Sequence, residues 1–222
     1  MPTLKKSKRG TLTKIRIIHA AIELADENGI ENLSMRNLAQ ILGVEAMSLY
    51  NHITNKDDLL SEMVDTLISK INSPLINKDW RREMINRAKS MRKQLLIHPW
   101  LTQLIISRPN VGPEMLSFFN ATLGCLVKAG FSLERADHAV NVMDSHIYGY
   151  TSQELNFPFK PKEYPIMARK FLPMLSKEKY PYMYDLTMLV IEKKYSGLHS
   201  FDFGMELLLD GLEKELEIYL QS

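Results

Sequence analysis

Apolar residues recur every three or four positions along most of this chain, and no stretch shows the alternation that is typical of a strand. Two short segments of this kind, at 34–42 and 46–53, are separated by Gly43. Ser34 is suited to cap the first helix by accepting a hydrogen bond from a backbone amide. Because glycine adopts the left-handed conformation without a steric penalty, Gly43 predicts a sharp turn between two helices. Such a pair is typical of a helix-turn-helix, whose second helix lies in the major groove of DNA.

The second segment offers side chains that suit contact with nucleic acid. Its inward positions are Leu49 and Ile53, and the others can bond base edges or phosphates or touch a thymine methyl group. Arg36, in the first turn of the preceding helix, is also within reach of a base or a phosphate. We therefore predict a DNA-binding surface made of Ser34, Arg36, Ala46, Met47, Ser48, Tyr50, Asn51, His52 and Lys56.

Lys56 opens the next predicted helix, at 56–71, where a cation is unexpected. Asn55 is suited to cap this helix, and Asp57 and Asp58 supply the negative charge that helix amino termini favour. A lysine at the same end is unfavourable unless something outside the helix attracts it. A DNA phosphate would do so, and a lysine that is merely solvated is the alternative.

Helical patterns also account for the rest of the chain, with glycine and proline between them. One helix is predicted at 13–28, and others follow Pro74 at 80–97, 101–106, 114–128, 133–156, 162–175, 182–195 and 201–220. The predicted fold is all-α, with a helix-turn-helix domain at 13–58 joined by a continuous helix to a larger helical domain at 59–222. A continuous helix can transmit a tilt between domains, whereas a flexible linker would absorb it.

Composition and charge narrow the class of protein. The chain has 222 residues, 45% of them apolar, and can bury a core without a metal or a disulfide. With Cys125 as its single cysteine, no signal peptide and no long apolar run, it is expected to be cytoplasmic and not membrane-bound. The net charge is +2, and 1–16 is basic without an acid. We take 1–12 as a basic arm, which is either a solvated tail or attracts DNA phosphates.

Two motifs, RNLAQILGV and SLYNHITNK, carry a resemblance to the TetR family of bacterial transcriptional regulators. The resemblance is strongest at 13–68, and HPWL, GPEML and FDFGMELLLDGLE resemble the tetracycline-repressor-like branch. It implies an Ω-shaped, all-α homodimer whose large domain binds a small effector. The family's DNA contacts fall on 46–52, on Lys56 and on Arg36. Many members have Ser or Thr where Glu45 stands, so a carboxylate is expected to cap the second helix of the motif here.

The last predicted helix suits the dimer that the resemblance implies. Its apolar residues cover one face, and Gly204 and Gly211 would let another helix approach closely. The alternative from periodicity alone is ordinary core packing in a monomer. Two-fold symmetry favours the dimer, since recognition helices on a palindrome must be held about 34–36 Å apart. The predicted interface is Phe203, Gly204, Leu207, Leu208, Gly211 and Leu212.

The helix predicted at 133–156 is unusually polar for a central helix, with His138, Asn141, Asp144, Ser145, His146, Tyr148 and Tyr150. Its polar face is either exposed, or bonded across a dimer, or it supplies the anchors of a mostly apolar pocket. For the pocket we predict Met63, Trp100, Phe118, Phe119, Met143, His146, Ile147 and Tyr150. His138 and His146 lie too far apart on one helix to chelate an ion together, so neither a metal nor a cofactor is predicted.

These patterns favour a DNA-binding regulator, most simply a repressor whose homodimer grips a palindromic operator and is released by a small-molecule effector. An activator with the same DNA-reading residues is the alternative. A helical enzyme is disfavoured, because no nucleophile, phosphate-loop or paired-histidine metal signature appears at diagnostic spacing.

Overall fold

The computed structural model describes residues 11–221, which form an all-helical protein, as the sequence predicts. Of the predicted basic arm, 1–10 lies outside the described residues. No helix within 11–221 is both long enough and apolar enough to cross a membrane. The helices are α1 (Lys14–Asn28), α2 (Met35–Leu42), α3 (Ala46–Tyr50), α4 (Lys56–Ile68), α5 (Trp80–Ile97), α6 (Leu101–Ile106), α7 (Pro113–Lys128), α8 (Leu133–Leu155), α9 (Tyr164–Phe171), α10 (Pro181–Ile191) and α11 (Phe201–Gln221).

The caps predicted for the first helices are present. Ser34 Oγ accepts a hydrogen bond from the Asn37 amide at 3.1 Å, and α2 ends at Gly43 with φ 69° in the left-handed region. Asn55 Oδ1 accepts from the Asp58 amide at 2.8 Å, while the Asp58 carboxylate accepts from the Thr54 amide at 2.8 Å. This reciprocal pair satisfies two backbone donors and fixes where α4 begins.

The second helix of the motif differs from its prediction at both ends. The sequence predicts a cap from the Glu45 carboxylate, but this side chain makes no capping hydrogen bond, and only the Glu45 backbone carbonyl accepts, from the Ser48 amide. The helix also ends at Tyr50 rather than at 53, because the His52 and Ile53 amides both bond to the Leu49 carbonyl, at 2.9 and 3.0 Å. The chain therefore tightens into a turn that leads to the α4 cap.

Two helices of the larger domain are shorter than predicted. The segment 162–175 holds α9 between 3₁₀ turns at Pro161–Glu163 and Leu172–Met174, since Pro173 has no amide hydrogen with which to continue the α-helix. Helix α10 stops at Ile191, and Lys193 then adopts a left-handed φ of 59° while the Lys194 and Tyr195 amides bond back to the Leu189 carbonyl. These hydrogen bonds close the end of α10.

Helix α4 joins the two groups of helices. It packs against α1 on the side of the helix-turn-helix and against α6 and α7 of the larger domain. Six of its apolar residues are buried, namely Leu59, Leu60, Met63, Val64, Leu67 and Ile68. In the larger domain, α8 is central and packs against α5, α7 and α11.

Gly204 allows α11 to lie close to α8 within one chain. A Cβ atom at this position would lie 2.3 Å from His146 Cε1. The His146 ring stacks on Phe201 with 5.2 Å between centroids, and Nε2 donates to the Phe201 carbonyl at 3.1 Å. The sequence predicts that Gly204 admits a helix of a partner, but in the structure the close approach is to His146 of the same chain.

Gly204→Ala is therefore expected to lower the free energy of unfolding by about 1–3 kcal/mol, because the added methyl group overpacks this contact. In a His146→Ala background the same change should stabilise the protein by about 0.5–1 kcal/mol, since alanine is the better helix former. Urea denaturation of the four proteins gives both values. An equal loss in both backgrounds would contradict the contact.

Candidate functional site

Two buried apolar side chains anchor α3 and the turn that follows it. Leu49 and Ile53 are fully buried beneath it, as predicted. The other residues predicted to contact DNA at 46–52 are at least partly accessible. Among them Ala46 and Ser48 are half-buried, and Met47, Tyr50, Asn51 and His52 are exposed.

The residues predicted to flank this face take two roles. Ser34 is half-buried, and its hydroxyl oxygen is engaged as the cap of α2. Arg36 and Lys56 are exposed, and within residues 11–221 neither makes an ion pair with a carboxylate. Their charge therefore remains available to an external anion such as a phosphate.

Asp57 connects the start of α4 with the loop that follows α6. Arg108 Nη1 donates to Asp57 Oδ1, and Arg108 Nη2 donates to the Asp57 carbonyl, both at 3.1 Å. Asp57 directly follows Lys56, so this loop is fastened beside a predicted DNA contact.

Asp65, further along α4, holds the other end of the same loop. Its carboxylate accepts from the Glu114 amide at 3.2 Å and from the Met115 amide at 2.9 Å, which caps the amino terminus of α7. Gly112 is required here, because a Cβ atom would lie 2.3 Å from Asp65 Oδ1. The loop between α6 and α7 is thus tied to α4 at two points.

A third link joins α1 to the segment between α5 and α6. Asp26 accepts from Trp100 Nε1 at 2.7 Å and lies 2.8 Å from His98 Nδ1. The side chains of His98 and Trp100 are buried. The HPWL segment therefore contributes to the contact between the helix-turn-helix domain and the larger domain.

A cavity of about 640 Å³ opens between α6, α7 and α8. This volume lies within the range of sites that bind drug-sized molecules. Its wall includes apolar side chains from α6, α7 and α8, polar side chains of α8, and Arg108 and Asn110 from the loop fastened to α4. The apolar part is Ile105, Ile106, Met115, Phe119 and Val140, and the α8 polar part is Asp137, His138, Asn141, Asp144, Ser145 and Tyr148.

The cavity differs from the pocket that the sequence predicts. Of the eight predicted residues only Phe119 reaches its wall. Five others are buried in the apolar core, namely Met63, Trp100, Phe118, Met143 and Ile147. The structure turns the adjacent face of α8 to the cavity, and one residue along a helix corresponds to a rotation of about 100°.

The remaining two predicted pocket residues belong to an aromatic cluster at the far end of α8. His146 contacts Phe201, and the Tyr150 hydroxyl donates to the His199 carbonyl at 2.6 Å. The Arg92 guanidinium lies 5.8 Å from the Tyr150 ring centroid and pairs with Glu154. In this structure these side chains fasten α8 to the start of α11.

Behind the cavity wall lies a buried ion pair that the sequence did not reveal. Arg87 of α5 is 1% exposed, and its Nη1 donates to Asp144 Oδ1 at 2.7 Å. Its Nε donates to Thr122 Oγ1 at 3.2 Å, and its guanidinium lies 4.9 Å from the Phe118 ring centroid. Burial, and next the Asp144 charge, raise the pKa of Tyr148 above its ordinary value, so this hydroxyl stays protonated at neutral pH.

The residues predicted for a dimer interface lie on two sides of α11. Phe203 is 67% and Leu207 is 56% exposed, and a Cβ atom at Gly211 would meet nothing within 4 Å. Leu208 and Leu212 are half-buried, while Gly204 faces α8. An apolar strip therefore remains uncovered on the outer side of α11 in the single chain.

Within residues 11–221 no group of three or more His, Cys, Asp or Glu side chains is placed to hold a metal ion.

Known families match both parts of the chain. The family described as "Bacterial regulatory proteins, tetR family" matches residues 17–63. The family described as "Tetracyclin repressor-like, C-terminal domain" matches residues 73–216. The two matches leave only 64–72 between them, which is the second half of α4 and the start of the loop that follows it.

Individual relatives agree with these matches. The HTH-type transcriptional repressor DrrR1 of Streptomyces coeruleorubidus is 30% identical over 224 residues, which cover 95% of this chain and 82% of the relative. The tetracycline repressor protein class E of Escherichia coli is 28% identical over 204 residues, or 90% of each chain. The crystal structure of the Streptomyces coelicolor protein ActR in complex with actinorhodin is 25% identical, with a TM-score of 0.77 over 93% of this chain and 99% of that one.

Proposed function

As this chain belongs to the TetR family of bacterial regulatory proteins, we propose that it represses transcription as a homodimer on a palindromic operator and leaves the DNA when an effector binds. Membership of this family of DNA-binding transcriptional regulators agrees with the prediction that the chain is not an enzyme. An activator would use the same DNA contacts and would differ only in its effect on transcription.

The exposed face of α3 supports the DNA-binding part of this proposal. Its outward side chains can reach base edges in the major groove, while Arg36 and Lys56 lie beside it with their charges available for phosphates. Contacts to bases determine which sequence is bound, and contacts to phosphates set affinity on every sequence. We assign Lys56 and Tyr50 to phosphates and Ala46, Met47 and Ser48 to bases.

One observation supports the proposed response to an effector. Helix α4 begins beside the predicted DNA-binding surface and is also hydrogen-bonded to the loop between α6 and α7, which lines the cavity. Arg108 and Asn110 lie on the cavity wall, and Arg108 is bonded to Asp57 of α4. A ligand that shifts the loop must move α4 or break these hydrogen bonds. Because α4 follows α3 after one capped turn, its tilt changes the separation of the two recognition helices in a dimer.

Such a coupling is reciprocal. If the effector weakens DNA binding, DNA weakens effector binding by the same factor, and typical couplings of about 1–3 kcal/mol correspond to roughly 5–150-fold. Gel-shift titrations of the full-length protein, on the region upstream of its gene and on a shuffled sequence, test the DNA-binding part. Repeating them with candidate effectors tests the response. Failure to shift either DNA at low salt would contradict the proposal.

Lys56→Ala is expected to weaken binding to operator and shuffled DNA by similar factors, and to lower the slope of log affinity against log salt by about 1. Ser48→Ala should instead change the preference among operator variants, by about 1–3 kcal/mol of binding free energy at the base pair that Ser48 contacts. Fluorescence anisotropy over a salt series measures both. Lys78→Ala, an exposed lysine in the segment before α5, is the matched control and should change neither. A sequence-selective effect of Lys56→Ala would contradict the phosphate assignment.

A further inference from the structure

Three buried side-chain atoms within residues 11–221 lack hydrogen-bond partners, namely Thr102 Oγ1 and two atoms at or directly behind the cavity wall. The latter two are Arg87 Nη2, a donor, and Asn110 Oδ1, an acceptor. Buried polar groups in native proteins are almost always satisfied, so each exception requires an explanation. Asn110 is on the cavity wall, and Arg87 is bonded to Asp144, which is also on that wall.

The orientation of the Asn110 amide is fixed by its neighbours. Nδ2 lies 3.2, 3.0 and 3.0 Å from the carbonyl oxygens of Leu104, Ile105 and Arg108, which can only accept. Exchanging the two ends of the amide would place Oδ1 against three oxygens. Asn110 therefore presents an acceptor that needs a donor, such as a hydroxyl group.

Arg87 presents the opposite requirement. Its Nε and Nη1 are engaged by Thr122 and Asp144, while Nη2 keeps two N–H donors that need an acceptor. The charge of the guanidinium is already balanced by Asp144. A carboxylate on a ligand would add a second negative charge to this buried pair, and an ammonium group would compete with Arg87 for Asp144. An uncharged acceptor, such as a carbonyl oxygen, satisfies Nη2 without disturbing the pair.

From these two requirements we infer that the effector is an uncharged molecule with a hydroxyl donor for Asn110 and a carbonyl acceptor for Arg87. The apolar part of the wall, including Ile105, Met115 and Phe119, accommodates its body. Asp144 and Tyr148 line the wall and adjoin Arg87, so the carbonyl has to pass between their side chains to reach Nη2. This inference rests on the proposed function, since it names the class of ligand for the same cavity.

Asn110 also places the ligand where the response begins. It lies in the loop that Arg108 and Asp65 fasten to α4, and its Nδ2 closes the carboxyl end of α6. A hydroxyl bonded to Oδ1 therefore pulls on the loop itself rather than on the distant wall. The proposed ligand contact at Asn110 is therefore connected to α4 through Arg108 and its hydrogen bonds to Asp57.

The test uses five related two-ring probes in isothermal titration calorimetry with the full-length protein at neutral pH. Hydroxytetralone, with its hydroxyl on the aromatic ring, carries both groups, whereas tetralone lacks the hydroxyl and tetrahydronaphthol lacks the ketone. Naphthoate is an anion and aminotetralin is a cation. Hydroxytetralone is expected to bind at least about tenfold more tightly than any of the other four, since each of them leaves a buried group unpaired or adds a charge.

Variants assign the two contacts separately. Asn110→Ala should remove the preference for hydroxytetralone over tetralone, and Arg87→Met with Asp144→Leu should remove the preference over tetrahydronaphthol. This double change replaces both charges by apolar side chains, so that neither is left buried alone. Arg92→Met, on the same helix but paired with Glu154 away from the cavity, is the matched control and should keep both preferences.

Several results would overturn the inference. Tighter binding of naphthoate or of aminotetralin would show that the cavity selects a charge, and equal binding of all five, or of none, would show that water satisfies the two atoms. Unchanged preferences in both variants would contradict the assigned contacts. The gel shifts are independent of these outcomes. If hydroxytetralone binds as expected but leaves DNA affinity unchanged, the site stands and the proposed release of DNA fails.

Discussion

Replacing Arg87 by methionine is expected to lower the free energy of unfolding by about 3–5 kcal/mol, the range measured when one partner of a buried ion pair is removed. Asp144, whose side chain is only 11% exposed, would be left without the guanidinium that balances it. Thr122 would also lose the hydrogen bond from Nε. Urea denaturation monitored by circular dichroism measures the change, provided that the protein concentration is held constant across variants.

The double variant Arg87→Met with Asp144→Leu should recover most of this loss, because no charge is then left buried without a partner. Arg92→Met provides the comparison, since its ion pair with Glu154 is partly exposed and such pairs contribute about 0–1 kcal/mol. A double variant as unstable as the single one would show that the arginine acts through packing rather than through charge.

Placing glutamates at both Phe203 and Leu207 is expected to reduce operator affinity by at least about a hundredfold while each chain remains folded. Both side chains are exposed in the single chain, so neither change disturbs its core. In the proposed dimer they would bring several negative charges together in an apolar contact. A separated subunit grips one half-site only, and the linkage of two half-sites typically contributes a factor of about 10²–10⁴.

Sedimentation or light scattering shows whether the dimer is lost, and anisotropy with operator DNA gives the affinity. Ile97→Glu is the matched control, because Ile97 is also an exposed apolar residue, at 52%, but lies at the end of α5. A variant that remains dimeric and still binds the operator would contradict the role of this face of α11.

The helix-turn-helix domain could be predicted closely because the ends of its helices depend on residues that are near in sequence. The caps at Ser34 and Asn55 and the left-handed Gly43 depend on residues only a few positions apart, and the structure contains all three. The exit from α3 was predicted less well. Its last turn is set by the His52 and Ile53 amides, which both bond to the Leu49 carbonyl. No residue type in the sequence indicates that arrangement.

The cavity could not be predicted in the same way, because it depends on contacts between distant segments. The polar residues of α8 were visible in the sequence, but both of its faces are mixed, and the face turned towards α6 and α7 depends on packing against α5. An arginine in the middle of a helix is ordinarily exposed. Only the tertiary structure shows that Arg87 is buried against Asp144 and Thr122.

Asn110 shows a similar limit. Its position in a loop between proline and glycine residues indicates a turn but not a recognition group. The role of its acceptor becomes apparent only in the tertiary structure, where Nδ2 bonds to carbonyl oxygens at the end of α6 and Oδ1 is left without a partner among residues 11–221.

The buried arginine and its aspartate also restrict how such a cavity can diverge among relatives. A lineage that changes position 87 alone passes through an unstable intermediate, and so does one that changes position 144 alone. The two positions are therefore expected to covary, with a charged pair in some descendants and an apolar pair in others. A switch between these pairs would mark the branches in which the preferred inducer changed its chemistry.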